Sequence, residues 1–410
     1  MVASETRAMF AFASRPEVVS LAGGMPYVSA LPLESLGAMM AELVATRGPS
    51  ALQYGSAQGD ERLRERICEV MALEQVTARA DDIVVTVGSQ QALDLVTRLF
   101  VDPGDVVLAE APSYATALST FAAHQAEVVH VPMDDEGLVP EALRATLARL
   151  SADGRRVKFL YTVPTFQNPG GVTLPPARRA ELLDICAEAD LLVLEDNPYG
   201  LIGFDSEPMR ALHADAPDRV IYLGSFSKTL APGFRVGWAL APAGVRDKLV
   251  LAAESAILCH SSLTQLAVGR YLETQPWREQ LKEFRVMYRD RRDAMLEALD
   301  AHMPAGCRWT RPGGGFFVWL TLPEGLDSKA MLPRAVSERV AYVPGTGFFA
   351  DGSGAANIRL SYCFPEPDQI REGVRRLSVA IEQELELRAT FGPGRPTPGS
   401  RSDVPGPGFS

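Results

Sequence analysis

The stretch Ser225-Phe226-Ser227-Lys228-Thr229-Leu230-Ala231-Pro232-Gly233-Phe234-Arg235-Val236-Gly237 directly follows Val220-Ile221-Tyr222-Leu223, an apolar run that reads as a buried strand. Open α/β sheets place their ligands at such strand ends. Lysine is the one side chain able to form an imine with an aldehyde cofactor. Small hydroxyl residues, Ser225 and Ser227, precede Lys228, and a rigid Pro-Gly turn follows it. Both suit a crowded phosphate pocket, and Arg235 adds a planar fork for phosphate oxygens. Alone, a lysine in a loop is a solvated charge; the whole string points to a site.

Similar short apolar runs recur at residues 83–87, 106–109, 158–162 and 191–194, with helix-like segments such as 175–189 between them. This alternation predicts a doubly wound α/β lobe with a largely parallel sheet. A long helical stretch, 277–301, comes next, then the Gly-rich strand entry Gly313-Gly314-Gly315-Phe316-Phe317-Val318-Trp319-Leu320 and two further strand candidates, 341–344 and 357–361. These predict a smaller α+β lobe. With 410 residues the chain is too long for one compact core. The expected division is an N-terminal arm and part of the small domain (1–46), a large domain (47–300), the rest of the small domain (301–389) and a Gly/Pro/Ser-rich tail (390–410) too poor in apolar surface to fold.

Other strand ends carry polar residues. In Thr86-Val87-Gly88-Ser89-Gln90-Gln91 a strand ends, a glycine permits the turn and a helix begins. Free N–H groups at a helix start, with the Ser89 hydroxyl, make an anion site. Glu110-Ala111-Pro112-Ser113-Tyr114 offers an aromatic ring for stacking, or a half-buried core tyrosine. Phe166-Gln167-Asn168-Pro169-Gly170 reads on its own as a turn, and the acid of Glu195-Asp196-Asn197-Pro198-Tyr199-Gly200 as a helix cap.

In this order the motifs resemble those of the class I/II aminotransferases, pyridoxal 5′-phosphate (PLP) enzymes of fold type I. The resemblance spans about residues 4–387 and implies the aspartate-aminotransferase fold, with a mostly parallel seven-stranded sheet in the large domain. It implies PLP on Lys228, a phosphate cup of Gly88, Ser89, Gln90, Ser225, Ser227 and Arg235, and Tyr114 stacked on the ring. Asn168 and Tyr199 match the donors to the ring oxygen, and Asp196 the carboxylate beside the ring nitrogen. Leu52-Gln53-Tyr54-Gly55 resembles the segment whose tyrosine, Tyr54 here, reaches the phosphate of a neighbouring subunit, implying a homodimer with a shared site. Asn357-Ile358-Arg359-Leu360-Ser361 resembles the strand whose arginine, Arg359 here, forks the substrate α-carboxylate.

Val19-Ser20-Leu21-Ala22-Gly23-Gly24-Met25-Pro26 is similar to the start of the 2-aminoadipate and kynurenine aminotransferase branch. It places Gly24 beside the substrate. Ser4-Glu5-Thr6-Arg7 resembles that branch's covering helix, whose arginine meets a distal carboxylate; a surface role for Arg7 is the alternative. The expected reaction moves an amino group between an L-α-amino acid with a sizeable acidic or apolar side chain and a 2-oxo acid such as 2-oxoglutarate. Elimination, decarboxylation, aldol cleavage or oxidation use the same ring and lysine and remain alternatives. A non-catalytic PLP-sensing domain of a transcriptional regulator is a third reading, disfavoured because no basic winged-helix module precedes the fold.

The net charge of −11, with no long basic run, argues against a nucleic-acid partner. The five cysteines, Cys68, Cys186, Cys259, Cys307 and Cys363, are dispersed, form no CxxC pair and read as free thiols in a reducing compartment. No signal peptide or membrane span is legible, so a cytoplasmic protein is expected, with no metal.

Overall fold

The computed structural model describes residues 15–392. Its strands, in chain order, are β1 (Val19–Ser20), β2 (Ile83–Thr86), β3 (Val106–Ala111), β4 (Glu127–Asp134), β5 (Gly137–Leu138), β6 (Val157–Thr162), β7 (Leu192–Asp196), β8 (Val220–Ser225), β9 (Gly237–Leu240), β10 (Arg308–Trp309), β11 (Phe317–Thr321), β12 (Val340–Ala341), β13 (Val343–Pro344) and β14 (Asn357–Ser361).

Eight of them form one sheet in the order β2-β9-β8-β7-β6-β3-β4-β5. The seven longer strands are those the family resemblance implies; β5, two residues long, lies antiparallel at the edge. β9 runs antiparallel to both of its neighbours, and the pairings from β8 through to β4 are parallel. Successive residues of a strand face opposite sides of a sheet. Val107, Phe159, Tyr161, Leu194, Ile221 and Leu223 accordingly join one core cluster, while Val106, Leu108, Leu160, Val193 and Val220 join another on the opposite face. Burial on both faces is why these strands read as unbroken apolar runs.

The helix Gly88–Phe100 starts directly beyond β2. Two crossover helices, Pro140–Ala152 and Pro176–Glu188, open on proline, whose missing N–H costs nothing at that position.

A second sheet has the order β10-β11-β14-β13, with Trp319 opposite Arg359. The expected strand 341–344 is split in two. Val340–Ala341 pairs in parallel with β1, and Val343–Pro344 pairs with β14. Between them Tyr342 is fully buried and donates its hydroxyl to Ser328 O. β1 and β12 thus form a two-stranded sheet of their own, and Ser361 N donates to Leu21 O at 2.8 Å, which sets the segment after β1 against β14. The helix Trp277–His302 lies along Pro367–Phe391, which extends two residues into the stretch read as tail. A backbone bridge between Gly203 and Gly314 joins the two halves. All five cysteines are free thiols, and no helix among the described residues is long and apolar enough to cross a membrane.

Candidate active site

The C-terminal ends of β6, β7 and β8 converge on a cavity of about 560 Å³ that the segment after β1 and strand β14 close from the other side. It is lined by Gly24, Ser89, Gln90, Tyr114, Asn168, Asp196, Tyr199, Ser225, Ser227, Lys228, Arg235 and Arg359, all expected from the sequence. Gly88 sits behind this wall: a Cβ there would lie 2.7 Å from the Arg235 guanidinium, and its φ of +73° suits glycine. Two candidates stand apart. Tyr54 is 76% exposed and does not line its own chain's cavity. Arg7 lies outside the described residues, as do Ser4, Glu5, Thr6 and the tail beyond Gly392.

Lys228 is half-buried, donates to Gly24 O at 2.9 Å and lies 5.6 Å from the centre of the Phe316 ring. Burial, seconded by Arg359 and Arg235, pushes its amine down to about 8. A lysine so placed is neutral, and nucleophilic, in about a tenth of molecules at pH 7, far more than an exposed lysine at its ordinary 10.5.

Asp196, the last residue of β7, is buried. Tyr161, on the neighbouring strand β6, donates its hydroxyl to Asp196 Oδ2 at 2.8 Å. Asp196 Oδ1 has no partner although it is buried. Burial raises this carboxyl to about 6, with Glu110 adding to the rise and Tyr161 opposing it. A bare acceptor in an interior site calls for a donor from a ligand.

At another part of the wall are the start of the helix Gly88–Phe100, the Ser225 and Ser227 hydroxyls, 2.9 Å apart, and Arg235. Arg235 donates to Val87 O at 3.0 Å. A Cβ on Gly237 would lie 2.5 to 2.7 Å from backbone atoms of Gly88 and Ser89, so β9 can press against this helix start only because Gly237 has none. Unpaired N–H groups, hydroxyls and a guanidinium make an anion cradle.

Arg359 is buried, and its guanidinium lies over the Phe317 ring at 4.2 Å and the Phe348 ring at 5.0 Å. It donates to Asn168 Oδ1 at 3.0 Å and to Ala22 O at 2.9 Å, and its Nε has no partner. Burial pushes it down to about 10, which leaves it cationic at neutral pH and in want of an anion. Asn168 is held from behind: Gln167 reaches Glu110 Oε2 and Pro112 O, and Glu110 also accepts from Thr162 and Val163.

An electron-accepting pyridine ring with an aldehyde and a phosphate fits these groups. The amine of Lys228, the bare oxygen of Asp196 and the anion cradle answer its three functional ends. The sequence reading missed Tyr161, Phe317, Phe348 and the Glu110–Gln167 pair. The one signal among them was a tyrosine inside a buried strand, whose hydroxyl needs a partner.

The family model described as aminotransferase class I and II matches residues 16–377. The chain is 42% identical over 388 residues to aromatic-amino-acid aminotransferase 1 of Thermococcus litoralis, covering 94% of this chain and 93% of that one. It is 40% identical over 390 residues to 2-aminoadipate transaminase of Thermus thermophilus, covering 94% and 95%. A crystal structure of Pyrococcus horikoshii kynurenine aminotransferase, in complex with PMP, superimposes with a TM-score of 0.90 at 42% identity, covering 94% of this chain and 96% of that one.

Proposed function

The chain belongs to the class I and II aminotransferases, PLP enzymes that exchange an amino group between an amino acid and a 2-oxo acid, and from that premise we propose how its residues divide the work. When bound, PLP supplies an aldehyde for covalent capture of an amine and a ring that accepts electrons from the substrate's Cα. Lys228 Nζ is the resident amine. Displaced by the substrate's amine, Nζ would be the base that takes the Cα proton and the acid that returns it to the carbon that had been the cofactor's aldehyde. Asp196 Oδ1 holds the proton on the ring nitrogen. Asn168 and Tyr199 donate to the ring oxygen, and Tyr114 covers the ring face. Ser89, Gln90, Ser225, Ser227 and Arg235 hold the phosphate. Arg359 forks the α-carboxylate and Gly24 lies against the substrate.

The observation that carries this reading is the convergence of an unpartnered Asp196 oxygen, a half-buried lysine amine and a buried arginine in one cavity. The homodimer and 2-oxoglutarate as acceptor belong to the same proposal. The names of the two curated relatives support an L-α-amino acid with an aromatic or a long acidic side chain as donor. In this reading Arg7 meets the distal carboxylate of acidic substrates.

A half-reaction screen tests it: wild-type PLP-form enzyme is mixed with single amino acids and conversion to the amine form is followed by absorbance. Phenylalanine, kynurenine, glutamate and 2-aminoadipate are expected to convert it, Lys228→Ala to convert with none, and borohydride to fix cofactor only in wild type. Cofactor fixed covalently in Lys228→Ala would overturn the assignment of the lysine.

A further inference from the structure

Behind the turn that carries Asp196 and Tyr199 lies a buried carboxylate with no part in the division of labour above. Glu74 follows the helix Glu61–Met71 in a short 3-10 turn, Ala72–Glu74, and is 3% exposed. Its Oε1 accepts from Asn197 Nδ2 at 2.7 Å and its Oε2 from the Tyr222 hydroxyl at 2.7 Å. Asn197 is itself a clamp: its Oδ1 accepts from Gly200 N at 3.0 Å and its own N–H donates to Leu223 O at 3.0 Å. The turn is therefore fastened at its first and last residues. Tyr222 lies on β8, the strand that runs on to Ser225 and Lys228. The packing is tight enough to exclude any side chain at Gly200, where a Cβ would fall 1.9 Å from Glu74 Oε1 and 2.6 Å from Asn197 Oδ1.

We propose that Glu74 is a positioning residue: its two oxygens tie the turn bearing Asp196 and Tyr199 to the strand that delivers Lys228, and so set the two sides of the cofactor against each other. The carboxylate accepts from both donors at once, one through each oxygen, with no donor of its own to turn toward either. Glutamine keeps one acceptor and turns a donor toward Tyr222, whose hydroxyl can rotate to accept. An aliphatic residue leaves both donors unpaired in the interior. Burial pushes Glu74 up to about 7, Glu195 pushes the same way, and Tyr222, Asn197 and Arg179 oppose it. Such a group is costly as mere filling, which favours a positional role. The inference rests on the assignment of Asp196 and Tyr199 to the cofactor.

The test uses holoenzyme and apoenzyme of wild type, Glu74→Leu, Glu74→Gln and Asp196→Asn. Two quantities are read: PLP affinity, by titrating apoenzyme and following the visible band, and the pH midpoint of that band. Glu74→Leu is expected to weaken PLP about tenfold, the size of one lost hydrogen bond, and to move the midpoint upward by about half a unit as Tyr199 loses its aim at the ring oxygen. Glu74→Gln is expected within about threefold of wild type. If Glu74→Leu does not fold, Asn197→Ser cuts the same link from the other end and carries the same expectation. The proposal is overturned if Glu74→Leu, or Asn197→Ser in its place, melts lower yet binds PLP with wild-type affinity and midpoint. An unchanged band in Asp196→Asn would instead overturn the cofactor assignment, and the proposal with it.

Discussion

Asp196 has one oxygen satisfied by Tyr161 and one left bare in the interior, an arrangement that costs stability until something donates to it. The direction with pH follows. Its folded value, about 6, lies above the ordinary aspartate value of 3.8, so the folded apoenzyme holds this proton more tightly than the unfolded chain does. Stability from this group is fully present below about pH 4 and is lost as pH rises through about 6. An asparagine side chain in its place, neutral at every pH, escapes that loss while still accepting from Tyr161. Apoenzyme carrying Asp196→Asn is therefore expected to match wild type near pH 4 and to exceed it by about 2 to 3 kcal/mol at pH 8, a rise of roughly a few degrees by calorimetry. The same variant is expected to lose amino transfer by orders of magnitude. An apoenzyme variant no more stable than wild type at pH 8 would show that the bare oxygen does not carry the burial cost described.

The helix Gly88–Phe100 owes its place at the anion cradle to β9, which presses Gly237 against Gly88 and Ser89. A methyl at this point meets backbone rather than a yielding side chain, so the helix start must retreat. Gly237→Ala is expected to weaken PLP phosphate binding by more than about tenfold while leaving Lys228 chemically competent, measured as free PLP released on dialysis. At this scale the sequence was most legible where a strand end and a turn adjoin. Lys228, Asp196, Asn168 and Gly88 all stand in such local strings, because a tight turn beside a ligand restricts residue type at neighbouring positions. β9 was not read as a strand, since four residues opening on glycine carry too short a pattern. β4 was missed for another reason: it is an outer strand with mixed burial, broken by His130 and Pro132. Contacts such as Arg359 to Asn168, Lys228 to Gly24 and Glu74 to Tyr222 join residues far apart in the chain, and no periodicity records them.

Taken as a whole, the surface of one chain exposes Leu52, Tyr54, Leu251, Ile257 and Leu258, with Tyr54 at 76% and Leu52 at 71%. Apolar exposure of this kind marks association surfaces and supports the homodimer proposed above, in which Tyr54 of each subunit would serve the other's phosphate. Complementation tests it. Lys228→Ala and Tyr54→Ala are each expected to be poorly active, yet after unfolding and refolding together about a quarter of wild-type activity should return, since half the dimers are hybrids with one intact site. Activity no higher than the mean of the two parents would count against a shared site. The pairing of β1 with β12 has a temporal consequence. Val19 leaves the ribosome early, but Val340, against which it lies, emerges only when most of the chain has been made. The central sheet, complete by Leu240, is free to condense first. Gly24 and Arg359 belong to that later-paired part, so the burial that lowers the Lys228 amine is expected to be completed only as the groups that face the substrate are set in place.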